Sequence, residues 1–132
     1  MRNKPSLTMD DLHKAMAAVR SEAGKNAWKV AIAIVDDGGY LLTFERMDGV
    51  APVSAEVAIG KARASAMTRR PSKFFEDRVK ERPAFANFPA GILIQGAVPI
   101  MVGDDCVGAI GVSGVQSHQD EQIAQAGVDA LK

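Results

Sequence analysis

The chain of 132 residues holds a single cysteine, Cys106, and no CxxC spacing. An internal disulfide is thereby excluded, and so are the redox motifs built on paired cysteines. A lone thiol fits a reducing compartment, so a cytoplasmic setting is expected. Histidine is almost as scarce. His13 and His118 are the only two, and neither has a second metal-spaced partner, which argues against a structural zinc site. Nowhere do about 18 apolar residues run together, so no membrane-spanning helix is expected. The first ten residues are polar and lack an apolar core, which predicts no secretory leader. Charge of one sign is missing too, with 16 Lys and Arg against 16 Asp and Glu. Without a basic stripe, nucleic acid is not an expected partner. Near-neutral charge also leaves little self-repulsion to oppose a homo-oligomer. With no repeat, no low-complexity tract and no long linker, residues 1–132 read as a single domain.

The residues that are present set out a succession of elements. Thr8 is placed to cap a first helix, with Asp11 three residues on in a capping-box arrangement. Leu12, Ala15, Met16, Val19 and Ala23 then line one face, and Gly24 offers a stop. Val30–Val35 and Tyr40–Glu45 predict a β-hairpin around Asp36, Asp37, Gly38 and Gly39. A helix of small residues is expected from Pro52 or Ser54 to Thr68, closed by Pro71, with a shorter helix over Ser72–Glu81. The stretch RPAFANFPAG reads as an ordered loop. Strands are expected near Ile92–Gln95, Val98–Val102 and Cys106–Ser113, the last two joined by a turn at Gly103, Asp104 and Asp105. Ser117 is expected to cap a final helix carrying Ile123, Ala124, Gly127 and Leu131 inward. Hairpin joints imply antiparallel pairing, so the expected fold class is α+β, a five-stranded antiparallel sheet with helices packed on it.

The small-residue helix stands apart. Ala55, Ala58, Ile59, Ala62 and Ala66 recur at helical spacing, and Gly60 sits mid-helix although glycine costs about 1 kcal/mol there relative to alanine. So thin a helix lets another backbone approach closely, either in the core or around a pocket or subunit contact. Lys61 and Arg63 would project from it. Further on, the glycines of GAIGVSG followed by a helix start either admit close packing or offer backbone N–H groups to an anion. For a carboxylated ligand, the expected carriers are Arg46, Lys61 and the Ser113–Gly114 amides, Arg46 by a two-point grip and Lys61 as a point charge. For catalysis, Glu56 or Asp48 would serve as general base, with Lys61 or Arg46 stabilising an enolate or oxyanion. Asp48 reads equally as a turn residue bonding its own backbone.

The order VAIAIVDDGGYLLTFERMDG, SAEVAIGKARASA, GAVPIMVGDDCVGAIGVSG and DEQIAQAGVDAL resembles the GlcG/HbpS-like family over nearly the whole chain. The sequence departs from the family's Gly-Gly before the proline, reading Gln95-Gly96-Ala97-Val98-Pro99. The resemblance implies a profilin-like α/β/α sandwich, a homo-oligomer, often an octamer, and in some members heme binding. Heme would be met by His13 or His118, since a first-helix histidine ligates heme in some relatives. The expectation is therefore a small-ligand-binding protein, heme being the first ligand to test. The alternative is an isomerase, tautomerase or hydrolase of organic-acid or aromatic catabolism using Arg46, Asp48, Glu56 and Lys61.

Overall fold

The computed structural model describes residues 1–132 as three layers, two helices on one side of a sheet and one principal helix on the other. The first helix, α1 (Met9–Lys25), starts as its sequence dictates. Thr8 Oγ1 accepts the Asp11 N–H, and the Asp11 carboxylate accepts the Thr8 N–H at 2.8 Å. Those bonds from Thr8 hold the Asp11 carboxyl below its ordinary pKa. Thr8→Ala is expected to cost about 1 kcal/mol, read as a lower urea midpoint at unchanged slope. The helix runs one residue past Gly24, to Lys25. Asn26 closes it by donating to the Glu22 carbonyl at 2.8 Å.

Strands β1 (Ala31–Asp36) and β2 (Leu41–Arg46) form the expected hairpin within a residue of the expected ends. Its turn is set by Asp36, whose Oδ1 accepts from the N–H groups of Gly38 and Tyr40. Helix α2 (Val53–Thr68) follows, then α3 (Ser72–Glu81) and a 3₁₀ turn at Pro83–Asn87. Strands β3 (Ala97–Val102) and β4 (Asp105–Ser113) make the second hairpin, and α4 (Ser117–Asp129) ends the fold. The sheet runs β2-β1-β4-β3, antiparallel throughout.

The sheet has four strands, not five. Ile92–Gln95 forms none because its backbone is bonded to a helix: the Ile92 N–H donates to the Gly60 carbonyl at 3.0 Å, and the Ile92 side chain fills the space Gly60 leaves open. The cap of the last helix also differs. Gln116, not Ser117, is the N-cap, its own N–H donating to the Gln119 side chain at 3.2 Å.

Strict alternation divides two cores. Ile32, Ile34, Val98, Ile110 and Val112 meet Ala15, Val19, Ile123 and Ala124 of α1 and α4. On the opposite face Ala31, Ala33, Val35 and Ala109 meet Ala58, Ala62 and Ala66 of α2. This second core is nearly all methyl groups, so α2 lies close upon β4. Gly111 has no room for a side chain, since a Cβ there would stand 2.6 Å from the Ala62 nitrogen. The two margins of the sheet are unlike. On β3, Pro99 supplies no N–H, and the Ala97 N–H donates to Ser72 Oγ of α3 at 3.0 Å. On β2, the other edge strand, Leu41 and Leu42 are exposed.

Candidate functional site

Register brings two of the expected residues into one row. Arg46 lies opposite Ala31, and Ala31 lies opposite Ser113. Directly opposed residues share a face, and Ala31 belongs to the α2-facing core, so Arg46 and Ser113 share that face about 10 Å apart, two strand spacings. Arg46 is exposed and has no carboxylate partner. Asp48 follows it in an exposed turn closed by the Val50 N–H on the Met47 carbonyl. Gly114, at φ +149°, lies against the next strand's entry; a Cβ there would stand 2.6 Å from the Lys29 carbonyl oxygen.

Lys61 has a different place from the one its sequence position suggests. Its side chain does not project into solvent. It is 2% exposed, and its Nζ donates to the Val112 carbonyl and to Asp120 Oδ2, both at 3.1 Å. Asp120 belongs to α4, on the far side of the sheet, so this ion pair joins the two outer layers. It passes beside Gly96, where β3 has not yet begun; a Cβ at Gly96 would stand 2.6 Å from the ammonium. The other carboxylate oxygen of Asp120 accepts the Val115 N–H at 3.1 Å. The amide that follows Ser113–Gly114 is thus already bonded by a carboxylate of the protein itself. Burial pushes the Asp120 carboxyl above its ordinary pKa, although Lys61 and the Val115 N–H pull it the other way.

Glu56 is exposed in the first turn of α2, whereas Lys61 is enclosed on the same helix. Of the four residues considered for catalysis, Arg46, Asp48 and Glu56 are at the surface, and the ammonium of Lys61 has its acceptors inside.

The two histidines are apart as well. Both are exposed. Gln122 of α4 donates to Glu22 of α1, and Gly127 packs against Val19, so the helices run antiparallel and His13 and His118 lie toward opposite ends of the pair. His118 lines a polar groove of about 420 Å³ with Glu22, Glu121, Gln122 and Asp129. His13 is two residues along α1 from Asp11, which lines a cleft of about 430 Å³ with Leu7, Ile100, Val107, Val128 and Leu131. No group of three or more His, Cys, Asp or Glu side chains is placed to hold a metal ion. No helix is long and apolar enough to cross a membrane.

Sequence reasoning missed the partner of Lys61 and the cleft beside α1. The only signal for the first was a lysine among alanines on a helix that otherwise buries one face. The cleft has no local signal, because its walls come from both ends of the chain.

Comparison with known proteins gives a consistent result. The family model described as "Haem degrading protein HbpS-like" matches residues 7–129. Protein GlcG of Escherichia coli K12 is 41% identical over 114 residues, covering 86% of this chain and 85% of that protein. The crystal structure of a double mutant of Streptomyces reticuli HbpS superposes with a TM-score of 0.91 at 30% identity, covering all of this chain and 91% of the other. A PduOC–heme complex shares the fold, with a TM-score of 0.88 at 24% identity over 96% of this chain and 95% of that one. The chain belongs to the HbpS-like family.

Proposed function

We propose that this protein binds a carboxylated small ligand, heme being the first to test. The observation that carries the reading is the match to the family described as haem-degrading, which spans nearly the full fold. Two kinds of group that such a ligand uses are present, on opposite sides of the sheet: Arg46 on the α2 side and a histidine on α1. Of the expected ligand carriers, Lys61 is bonded internally, whereas the guanidinium of Arg46, in the same cross-strand row as Ser113, has no carboxylate partner and is free to grip one from a ligand. His13 is the iron ligand to test first, since it lies outside the carboxylate-lined groove. His118 shares its groove with three carboxylates, which repel propionates. Heme would supply the iron chemistry; the chain's part is to bind and orient it. The same reading makes the protein a cytoplasmic homo-oligomer, an octamer by likeness to its family.

Hemin titration is expected to give a saturable Soret shift. His13→Ala should abolish the ligand-field component of that shift, while His118→Ala should leave it. Arg46→Ala should weaken binding about tenfold, the scale of one charge-assisted hydrogen bond. A titration without saturation would remove the heme reading.

A further inference from the structure

Aromatic residues are few in this chain, five Phe with one Trp and one Tyr. The two cores hold only Trp28 and Phe44, each at a margin. Four of the five Phe gather instead on α3 and the 3₁₀ turn after it. Phe75 and Phe88 stack at 5.0 Å and 22°, with Phe74 and Phe85 set around Phe75 at 5.2 and 6.0 Å. Phe75 is buried, but Phe88 is 41% exposed.

Arginines coat this cluster. Arg70 and Arg78 lie over the Phe74 ring at 4.2 and 5.0 Å, and Arg82 lies over Phe85 at 5.2 Å. Residues 69–82 carry six cationic side chains against three acidic ones, in a chain whose charges balance overall. Half are neutralised locally: Lys73 and Lys80 by Asp77, Arg78 by Glu81. Arg70 and Arg82 pair with no carboxylate. A guanidinium held over a ring still offers its fork of N–H donors to an anion. Beside Arg82 lies a hollow of about 170 Å³, lined by Arg82, Ala84, Phe85 and Phe88. It is smaller than the roughly 300–1,000 Å³ of drug-sized sites, so it admits one ring or a fused pair and not a macrocycle.

We propose that this hollow binds a small aromatic carboxylate, its ring stacked on Phe88 beside Phe85 and its carboxylate held by Arg82. Arg82 and the exposed Phe88 ring line the same hollow, and each selects one half of such a molecule. The site shares no residue with the Arg46–Ser113 row or with either histidine, so it stands or falls apart from heme binding.

The test is an amide chemical-shift titration of the whole protein with three probes. 2-Naphthoate has ring and charge, cyclohexanecarboxylate has charge without a π face, and 2-naphthalenemethanol has the ring without charge. Naphthoate is expected to shift the amides of 82–88 and to bind about tenfold tighter than either control. Arg82→Ala should cost about that factor and Arg82→Lys part of it, both with an unchanged melting temperature. Equal binding of the three probes, shifts elsewhere, or an Arg82→Ala variant that binds as wild type would each overturn the proposal. So would a fall in sedimentation mass in Arg82→Ala and Phe88→Ala, which would make the patch a contact between copies. Hemin shifting these same amides would overturn the limit to small rings.

Discussion

Lys61→Ala is expected to lower stability at neutral pH by about 3–5 kcal/mol, the usual cost of leaving one partner of a buried ion pair without the other. Both side chains are 3% exposed, and the pair is a bridge between α2 and α4 across the sheet. Without the ammonium, Asp120 would keep only the Val115 N–H. The loss should depend on pH, and its sign follows from burial, which holds the folded Asp120 carboxyl above its ordinary pKa. A raised carboxyl leaves stability intact below the unfolded-state value of about 4, and stability is lost as pH rises through the folded value. Removing Lys61 removes the largest influence opposing that rise, so the deficit deepens. The gap between wild type and variant should therefore be widest near pH 7 and narrow toward pH 4, as measured by urea unfolding at both. Lys61→Met combined with Asp120→Leu should recover most of the loss, since no charge then remains buried. A gap that stays constant over this range would mean that the alkyl stem of Lys61, not its charge, carries the effect.

Gly111→Ala should be about as damaging, at roughly 3 kcal/mol or more, for a different reason. The added methyl would run into the Ala58 carbonyl oxygen and stand 2.6 Å from the Ala62 nitrogen and 2.9 Å from its Cβ. These are helix backbone and a Cβ fixed to it, so no rotamer change relieves the contact; α2 would have to lift from β4. Gly24→Ala is the control. Nothing lies within 4 Å of a Cβ there, and α1 is helical at that point, so this change should stabilise by up to about 1 kcal/mol. Opposite signs in the two melting temperatures are the expected result. A mild Gly111→Ala would show that α2 is free to shift.

What could be read from the sequence was local. Thr8 and Asp11 announced their helix start because the capping bonds span three residues. The Asp36 turn was equally plain, and the alternating run of β1 fixed which side chains go inward. The thinness of α2 was visible too, and its physical meaning, close approach of backbone, is what the Gly111 contact displays. Periodicity tells which face is buried but not what it is buried against. Ile92–Gln95 is apolar enough for a strand, yet its bonding partner is the carbonyl of Gly60, some thirty residues earlier, which no local pattern names. Lysine is usually exposed, which is what the sequence predicts for Lys61; its carboxylate acceptor is fifty-nine positions away. Arg46 and Ser113 are neighbours only through the pairing register of β1 with both β2 and β4, and register is a property of the assembled sheet.

The contrast between Pro99 on one margin and bare Leu41 and Leu42 on the other limits how copies can join by strand addition. Only one border accepts a newcomer, so the newcomer must present that same border, turned about a two-fold axis. Growth along the sheet direction then halts at a pair, and this chain has no route by that means to an endless ribbon.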